Sequence, residues 1–167
     1  IYLTGRTGSN FDLPGYPRLP LPCGGSSHPD AFLAKLSGNG TLQWAHNLAS
    51  TPQPGVPCAF DHAFGVVTNR AGSVAFITGQ TLGVMPGETS KGAMDGFVAR
   101  YEADGTRTWV RQFGTQPPST SSGPLNLYDR PYGIAMNPAG DLFVAGDTIG
   151  SFGTPNPSID RQDWFIL

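Results

Sequence analysis

Short apolar runs separated by Gly-bearing turns recur along most of the chain. Between residues 30 and 83 the runs are AFLAKL, TLQWAHNL, FGVVTN and SVAFITG, and the turns within the two pairs are SGNG and NRAG. Gly and Asn accept the positive φ of tight turns, so each pair of runs predicts a β-hairpin. SVAFITG is apolar on both side-chain parities, which indicates a strand buried on both faces between other sheets.

The same sequence pattern recurs along the chain. Asp30 in DAFLAKLSGNGTLQWAHNLA is matched by Asp95 in DGFVARYEADGTRTWVRQFG, and Trp44 is matched by Trp109, each 65 residues on. A further copy begins at Asp163 in DWFIL. The second half also repeats, because DHAFGVVTNRAGSVAFITGQT matches DRPYGIAMNPAGDLFVAGDT. Its equivalent positions are Asp61 and Asp129, Gly65 and Gly133, and Gly79 and Gly146.

Repeated four-stranded antiparallel units, stacked face to face, are typical of β-propeller blades. The predicted fold is therefore all-β, a β-propeller-like array in which residues 1–167 form one propeller segment. Its predicted parts are complete blades at 30–83 and 95–152, the end of a partial blade at 1–11, and the first strand of another at 163–167. No window of ten or more residues shows a helical apolar period free of Gly or Pro.

The segment DGFVARYEADGTRTWVRQFG, with the later YDRPYGIAMNPAGDLFVAGDT, resembles the β-propeller repeat family known as SBBP. The shared features are an Asp–aromatic–Val strand, a D-G turn, a Trp, and a later Asp followed by a V-x-G strand. The resemblance covers about 30–50, 61–83, 95–115, 128–152 and both ends of the chain. It implies a propeller fold in a secreted or surface protein, and it implies no particular activity. The long Pro-rich loops depart from the family pattern.

Composition narrows the class of protein. Charged residues make up only 13% of the chain, whereas there are 23 glycines and 16 prolines, which favours many short elements joined by turns. The formal charge of −2 offers no basic surface for nucleic acid or an anionic membrane. No apolar stretch reaches 18 residues, so no membrane span is predicted. The chain starts and stops inside apolar runs, and we expect it to be processed or partial.

The long connections are expected on one side of the array, opposite the hairpin turns. They lie at roughly 11–29, 50–60, 80–94, 115–128 and 150–162. Insertions gathered on one side of a repeat array often mark a binding surface, although Pro-rich decoration explains them equally well. Three non-repeating aromatic residues near this side, Phe11, Tyr16 and Tyr128, are candidate binding residues for a partner or a glycan.

Two cysteines, Cys23 and Cys58, fall in these long connections on either side of the first complete unit. An even pair in a chain of extracellular character favours a disulfide, with two buried thiols as the alternative. Closing a loop of this size would stabilise the fold by roughly 3–4 kcal/mol in the chain-entropy treatment. Two cysteines and three scattered histidines offer no metal-ligand spacing, so neither a metal nor another cofactor is predicted.

The repeated Asp and Trp residues have two interpretations. A ring of carboxylates at Asp30, Asp61, Asp95, Asp129 and Asp163 would suit Ca²⁺ or a sugar. The structural interpretation, which we favour, is that each accepts backbone N–H hydrogen bonds at a loop-to-strand corner. The Trp residues could stack on sugars, but their equivalence by repeat favours packing between blades.

Catalytic signatures are absent from the sequence. His62 follows Asp61 and could act as a general base, yet no Ser or Cys nucleophile motif accompanies it, and G-x-S-x-G, HExxH and the phosphate loop do not occur. The sequon NGT places Asn39 at a predicted hairpin tip, where N-glycosylation is possible in a eukaryotic source. The segment PPSTSSGP at 117–124 has the composition of O-glycosylated segments.

The unpaired ends suggest the role. Ten strands cannot close a propeller, so apolar sheet faces must be covered by other blades of the same protein or by neighbouring copies, which could build a filament. We therefore predict a non-enzymatic, extracellular or surface-exposed structural or binding protein, such as a subunit of a filament or appendage. The alternative is a propeller domain of a carbohydrate-binding or carbohydrate-active protein.

Overall fold

The computed structural model describes residues 1–7, 29–56, 58–115, 128–152 and 162–167. Within these ranges the chain forms strands and turns and contains no helix, which confirms the all-β prediction. The strands are β1 (Tyr2–Thr7), β2 (Asp30–Leu36), β3 (Leu42–Leu48), β4 (Asp61–Thr68), β5 (Val74–Thr81), β6 (Asp95–Glu102), β7 (Arg107–Phe113), β8 (Asp129–Met136), β9 (Leu142–Thr148) and β10 (Asp163–Ile166).

The strands form three antiparallel sheets with the orders β1-β2-β3, β4-β5-β6-β7 and β10-β9-β8. This order corrects the predicted boundaries. The ranges 30–83 and 95–152 each cover strands of two different sheets, while β1 and β10, predicted for other blades, pair with β2 and β9. A sequence repeat can be divided anywhere in its period, so its alignment does not show which neighbouring strands pair.

All three sheets follow one design. The sheet β1-β2-β3 corresponds to β5-β6-β7 of the middle sheet, and β8-β9-β10 corresponds to β4-β5-β6. Register supports this equivalence, because a Thr at the end of one strand always faces an Asp at the start of the next. The facing pairs are Thr7 and Asp30, Thr81 and Asp95, and Thr148 and Asp163. The repeat seen in the sequence is thus a repeat of strand pairing.

Tight turns close the four hairpins within the repeat. Each ends on a glycine with positive φ, namely Gly40, Gly72, Gly105 and Gly140. At Gly105, for example, φ is 91°, a conformation in which an L side chain is strained. These turns lie where the sequence predicted them.

Two apolar layers separate the three sheets. The first layer, between the first and middle sheets, includes Leu33, Leu48, Ile77, Phe97 and Tyr101, all at most 1% exposed. The second layer, between the middle and third sheets, consists of Phe76, Val98, Val144 and Phe165, with partly buried neighbours that include Trp109. Because adjacent residues on β5 enter different layers, the middle sheet is buried on both faces.

Side chains of the first sheet also bond to the hairpin turns of the middle sheet. The Tyr2 hydroxyl donates to the Gly72 carbonyl over 3.1 Å. Lys35 Nζ and Trp44 Nε1 both donate to the Ala103 carbonyl, at 2.8 and 3.0 Å. Trp44 is 8% exposed and belongs to the first apolar layer, so it packs between sheets as its repeated position suggested.

We expect Gly79→Ala to destabilise the fold by about 3 kcal/mol, because the new methyl group would meet backbone rather than a flexible side chain. A Cβ at Gly79 would lie 1.9 Å from the His62 carbonyl oxygen and 2.7 Å from Ala63 Cα. Urea denaturation measures the change. The matched control is Gly133→Ala, also within a strand, where a Cβ would meet nothing within 4 Å. Equal stability of the two variants would contradict the close approach.

Candidate functional site

Buried carboxylates tie the sheets together at their corners. Asp61, the first residue of β4, donates its backbone N–H to the Pro29 carbonyl over 2.8 Å. Its Oδ2 accepts the Ser50 backbone N–H at 2.8 Å and the Ser50 hydroxyl at 3.1 Å. Pro29 precedes β2 and Ser50 follows β3, so this one residue holds three segments of two sheets.

The same corner recurs at the start of β8. Asp129 donates its backbone N–H to the Met94 carbonyl at 2.9 Å and accepts the Thr115 N–H at 2.8 Å. The hydroxyls of Thr115 and Thr148 donate to the same carboxylate, the latter at 2.5 Å. Asp129 is fully buried. These contacts are those of the structural interpretation, in which a carboxylate holds a loop-to-strand corner.

Asp95 has a different set of donors. Its Oδ2 accepts the Lys91 backbone N–H at 2.6 Å and Gln112 Nε2 at 2.7 Å. Gln112 also bonds to the Gly83 carbonyl and to the Met85 N–H, both in the connection between β5 and β6. The long connection from 82 to 94 is thus anchored to Asp95 on β6 and to Gln112 on β7.

The corner carboxylates lie in pairs, and their burial disfavours the charged form of each. A Cβ at Gly114 would lie 2.4 Å from Asp95 Oδ1 and 2.9 Å from Asp129 Oδ2, so both carboxylates crowd one point. Burial, with the neighbouring charge of Asp61, raises the pKa of Asp30 to about 6. Burial also raises the pKa of Asp61, Asp95 and Asp129 and outweighs the hydrogen bonds that favour their charged forms.

A β-bulge next to each corner turns one aromatic side chain outward. In the β4–β5 ladder Ala63 faces Gly79 and Gly65 faces Thr78, so Phe64 is the extra residue without a partner. In the β8–β9 ladder Tyr132 is the extra residue in the same way. Phe64 is 42% exposed and Tyr132 is 43% exposed. Bulges commonly re-aim a side chain at functional sites, which makes these two residues the starting point of a candidate site.

Phe64 and Tyr132 belong to a continuous surface row of rings, which we call the aromatic row. It comprises Phe60, His62 and Phe64 at the start of β4, and Tyr128, Arg130 and Tyr132 at the start of β8. Neighbouring ring centroids are 5.2 Å apart for Phe60 and His62, 6.1 Å for His62 and Phe64, and 5.5 Å for Phe64 and Tyr132. The last contact crosses from the middle sheet to the third.

The β8 half of the aromatic row is organised by a guanidinium. Arg130 lies over the Tyr128 ring at 3.8 Å from its centroid and 5.9 Å from that of Tyr132. Its Nε and one terminal nitrogen donate to the buried Asp147 carboxylate at 3.1 and 2.8 Å. This bidentate pair fixes the guanidinium plane, and the hydrogen bond with Asp147 is the main reason that the pKa of Arg130 is raised.

In the β4 half of the aromatic row, the uncharged side chains of His62 and Gln80 occupy the positions equivalent to Arg130 and Asp147. Gln80 Nε2 lies 3.5 Å from His62 Nδ1, and an Arg6 nitrogen lies 3.4 Å from His62 Nε2. Burial and the Arg6 charge lower the pKa of His62, so the imidazole is neutral at pH 7. Gln80 is 7% exposed, and its Oε1 has no hydrogen-bond partner among the described residues. A buried acceptor without a donor therefore lies beside the row.

The other predicted residues fall as follows. Phe11, Tyr16 and Cys23 lie outside the described residues, so the Cys23–Cys58 disulfide stays a prediction, and Cys58 is half-buried after β3. Tyr128 is part of the aromatic row. Asn39 is exposed in the β2–β3 turn, where its Oδ1 accepts from Ser37 and Thr41, and its glycosylation also stays a prediction. Asp163 opens β10, and Trp109 packs on Phe76.

The described residues contain no group of three or more His, Cys, Asp or Glu side chains placed to hold a metal ion. In the same part of the chain no helix is long and apolar enough to cross a membrane. No protein-family model matches the chain, and no curated protein matches it. The resemblance to the SBBP family therefore stays a prediction.

The sequence predicts little of the aromatic row. It indicates only Tyr128 as a binding residue and His62 as a possible general base. The signal that could have found the rest is the motif aromatic–Asp–x–x–aromatic–Gly, which occurs at 60–65 and again at 128–133. The bulge that exposes its second aromatic residue cannot be read from that motif.

We expect Asp30→Asn to stabilise the fold by about 1 kcal/mol at pH 7.5 and to flatten the pH dependence of stability. The folded pKa of about 6 lies above the ordinary 3.8, so Asp30 contributes most below about pH 4. That contribution is lost as the pH rises through about 6. Urea denaturation from about pH 4.5 to 7.5 measures the effect. A variant less stable at every pH would contradict this explanation, and Asp141→Asn, in an exposed turn, serves as control.

Asp129→Ala should cost about 3 kcal/mol, because it leaves the buried Thr115 amide and the Thr148 hydroxyl without their acceptor. Thermal and urea unfolding both report the loss. The control is Asp141→Ala, in an exposed turn where Oδ2 accepts from Asn137 Nδ2 at 2.8 Å, and its cost should stay below about 1 kcal/mol. A variant of Asp129 with wild-type stability would show that the corner does not hold the sheets together.

Proposed function

We propose that the chain is a segment of a β-propeller-like array that serves as an extracellular structural or scaffold protein. In this proposal each described sheet is a blade, offset by two strands from the sequence repeat. β4 and β8, the equivalent first strands of the middle and third sheets, contact each other as inner strands of adjacent blades do, and β4 contacts β1 as β8 contacts the equivalent β5. The SBBP resemblance supports the same arrangement and an extracellular location.

The observation that carries the proposal is the contrast between equivalent positions on different sheets. On β10, Trp164 is 80% exposed and Ile166 is 76% exposed. The residues equivalent to Ile166 are Leu33 on β2 and Val98 on β6, which are 0% and 9% exposed because another sheet covers them. The outer face of the third sheet therefore has the character of a face that another sheet covers.

The opposite flank shows the same contrast. Leu3 on β1 is 48% exposed, whereas its equivalents Ile77 on β5 and Val144 on β9 are 0% and 4% exposed. Large exposed apolar positions on a sheet face mark a surface for association. Further blades of the same protein or neighbouring copies would cover both faces, and copies that stack without closing would form a filament.

A non-enzymatic role is the other part of the proposal. Four of the five repeated aspartates are buried, with Asp61 1% exposed and Asp129 0% exposed, whereas Asp163 at the start of β10 is exposed. Asp61 Oδ2 and both carboxylate oxygens of Asp129 accept hydrogen bonds from backbone and hydroxyl donors, and neither side chain reaches a surface from which a substrate could be bound. A carbohydrate-active enzyme would need catalytic carboxylates elsewhere.

Self-association should follow from the uncovered faces. We expect the 167-residue chain to associate as its concentration rises, and the double variant Trp164→Ser, Ile166→Ser to reduce that association about tenfold or more, because two large apolar side chains leave the contact. Light scattering after size exclusion measures mass, and electron micrographs distinguish filaments from closed rings.

The matched control is Tyr132→Ser, which removes an exposed aromatic residue from a different surface and should leave association unchanged. A wild-type chain that stays monomeric at all concentrations, or a double variant that associates like wild type, would contradict the scaffold proposal.

A further inference from the structure

The aromatic row combines exposed ring faces with fixed polar groups. Phe64 and Tyr132 present partly exposed rings from two sheets, and Arg130 is held in place by Asp147. The row begins where the long connections 49–60 and 114–128 enter β4 and β8. Two equivalent bulges expose these rings, so the repeat itself produces this surface. The aromatic row therefore differs from the scattered apolar residues of an ordinary protein surface.

The polar groups beside the rings specify the chemistry of a ligand. Arg6 and Arg130 are donors, and the Tyr128 and Tyr132 hydroxyls can both donate and accept. Gln80, more than nine-tenths buried beside His62, has an Oε1 to which no residue in the described part of the chain donates. A ligand that completes this set must bring apolar faces for the rings together with groups that donate and groups that accept hydrogen bonds.

Carbohydrates have this combination, because a sugar ring has C–H faces that stack on aromatic rings and a rim of hydroxyls that donate and accept. A proline-rich peptide also docks on aromatic surfaces. Its proline residues, however, provide carbonyl acceptors and no N–H donors, so it would leave the Gln80 acceptor unsatisfied. A cationic ligand is disfavoured, since the charged side chains of the described residues that contact the row include Arg6 beside His62 and the Arg130–Asp147 pair.

We propose that the aromatic row is a binding site for a carbohydrate chain laid across β4 and β8. The sugar rings stack on Phe64 and Tyr132, and hydroxyls bond to Arg130 and to the amide of Gln80. The site is independent of the scaffold role, because it uses the starts of two strands and leaves the outer sheet faces free. The carboxylate that contacts the row, Asp147, is 1% exposed and bonded to Arg130, so we expect the site to recognise sugar without chemistry on it.

The test is titration of the 167-residue chain with a panel of hexasaccharides, followed by calorimetry and by amide shifts of Gly65 and Gly133 in NMR. The panel holds cellohexaose, chitohexaose, maltohexaose and hexagalacturonate, and a decaproline peptide represents the other class of ligand. We expect at least one sugar to bind with a dissociation constant below about 1 mM. Phe64→Ala and Tyr132→Ala should each weaken that binding about fivefold or more.

Two further variants separate recognition from folding. Phe143→Ala is the matched control, because Phe143 is 47% exposed on β9 outside the row, and binding should not change. Gln80→Met should weaken binding about tenfold while the melting temperature is kept or raised, since it removes an unpaired buried acceptor. If Gln80 had only a structural role, Gln80→Met would not weaken binding while the melting temperature was kept or raised.

The outcomes are decisive in each direction. Sugar binding that falls with Phe64→Ala and Tyr132→Ala but not with Phe143→Ala establishes the site. The absence of binding for every sugar up to about 10 mM overturns the proposal, as does binding that ignores the row variants. Decaproline binding in place of sugar binding assigns the row to peptides and also overturns it.

Discussion

The structure depends on the burial of both faces of its middle sheet. Each large apolar side chain removed from water contributes about 1.5–3 kcal/mol, and the two layers around β4-β5-β6-β7 contain many of them. Such a sheet is stable only between two others, which is why the chain repeats one pattern and why the outer faces retain exposed residues such as Leu3 and Trp164. The proposed scaffold role is the same requirement applied to the outer sheets.

Stacking by apolar layers alone leaves the relative position of the sheets poorly specified, and the corner aspartates supply the specificity. Asp61 opens β4 and bonds to Pro29 and Ser50, which flank strands of the first sheet, and Asp129 accepts from Thr115 after β7 and from Thr148 on β9. The raised pKa values of these residues show that burying their charges opposes folding. Directional bonds to Ser50 and Thr115 offset that penalty only when the neighbouring sheet is in register, so the corner selects one arrangement among many with similar apolar contact.

The sequence predicted the strands and hairpins well, because Gly turns and apolar runs are local signals. It also predicted structural roles for the repeated Asp and Trp residues, and the contacts of Asp61, Asp95, Asp129, Trp44 and Trp109 agree with them. The sheet boundaries were wrong, because the pairing of β5 with β6 spans a long connection that no local pattern describes. The aromatic row was largely missed because it depends on the extra residue in each bulge and on contact between different sheets, and neither is encoded in the period of side chains along one strand.

A comparison of the two copies of the motif separates structure from surface. Asp61 and Gly79 recur unchanged as Asp129 and Gly146, because a corner needs a carboxylate and the bulge needs a residue without a side chain opposite it. At the surface positions Phe64 becomes Tyr132, His62 becomes Arg130 and Gln80 becomes Asp147. The first of these positions keeps an aromatic ring and the other two keep polar side chains, whereas their charge and hydrogen bonding change. The fold therefore fixes where the rings lie, while the chemistry they present differs from sheet to sheet.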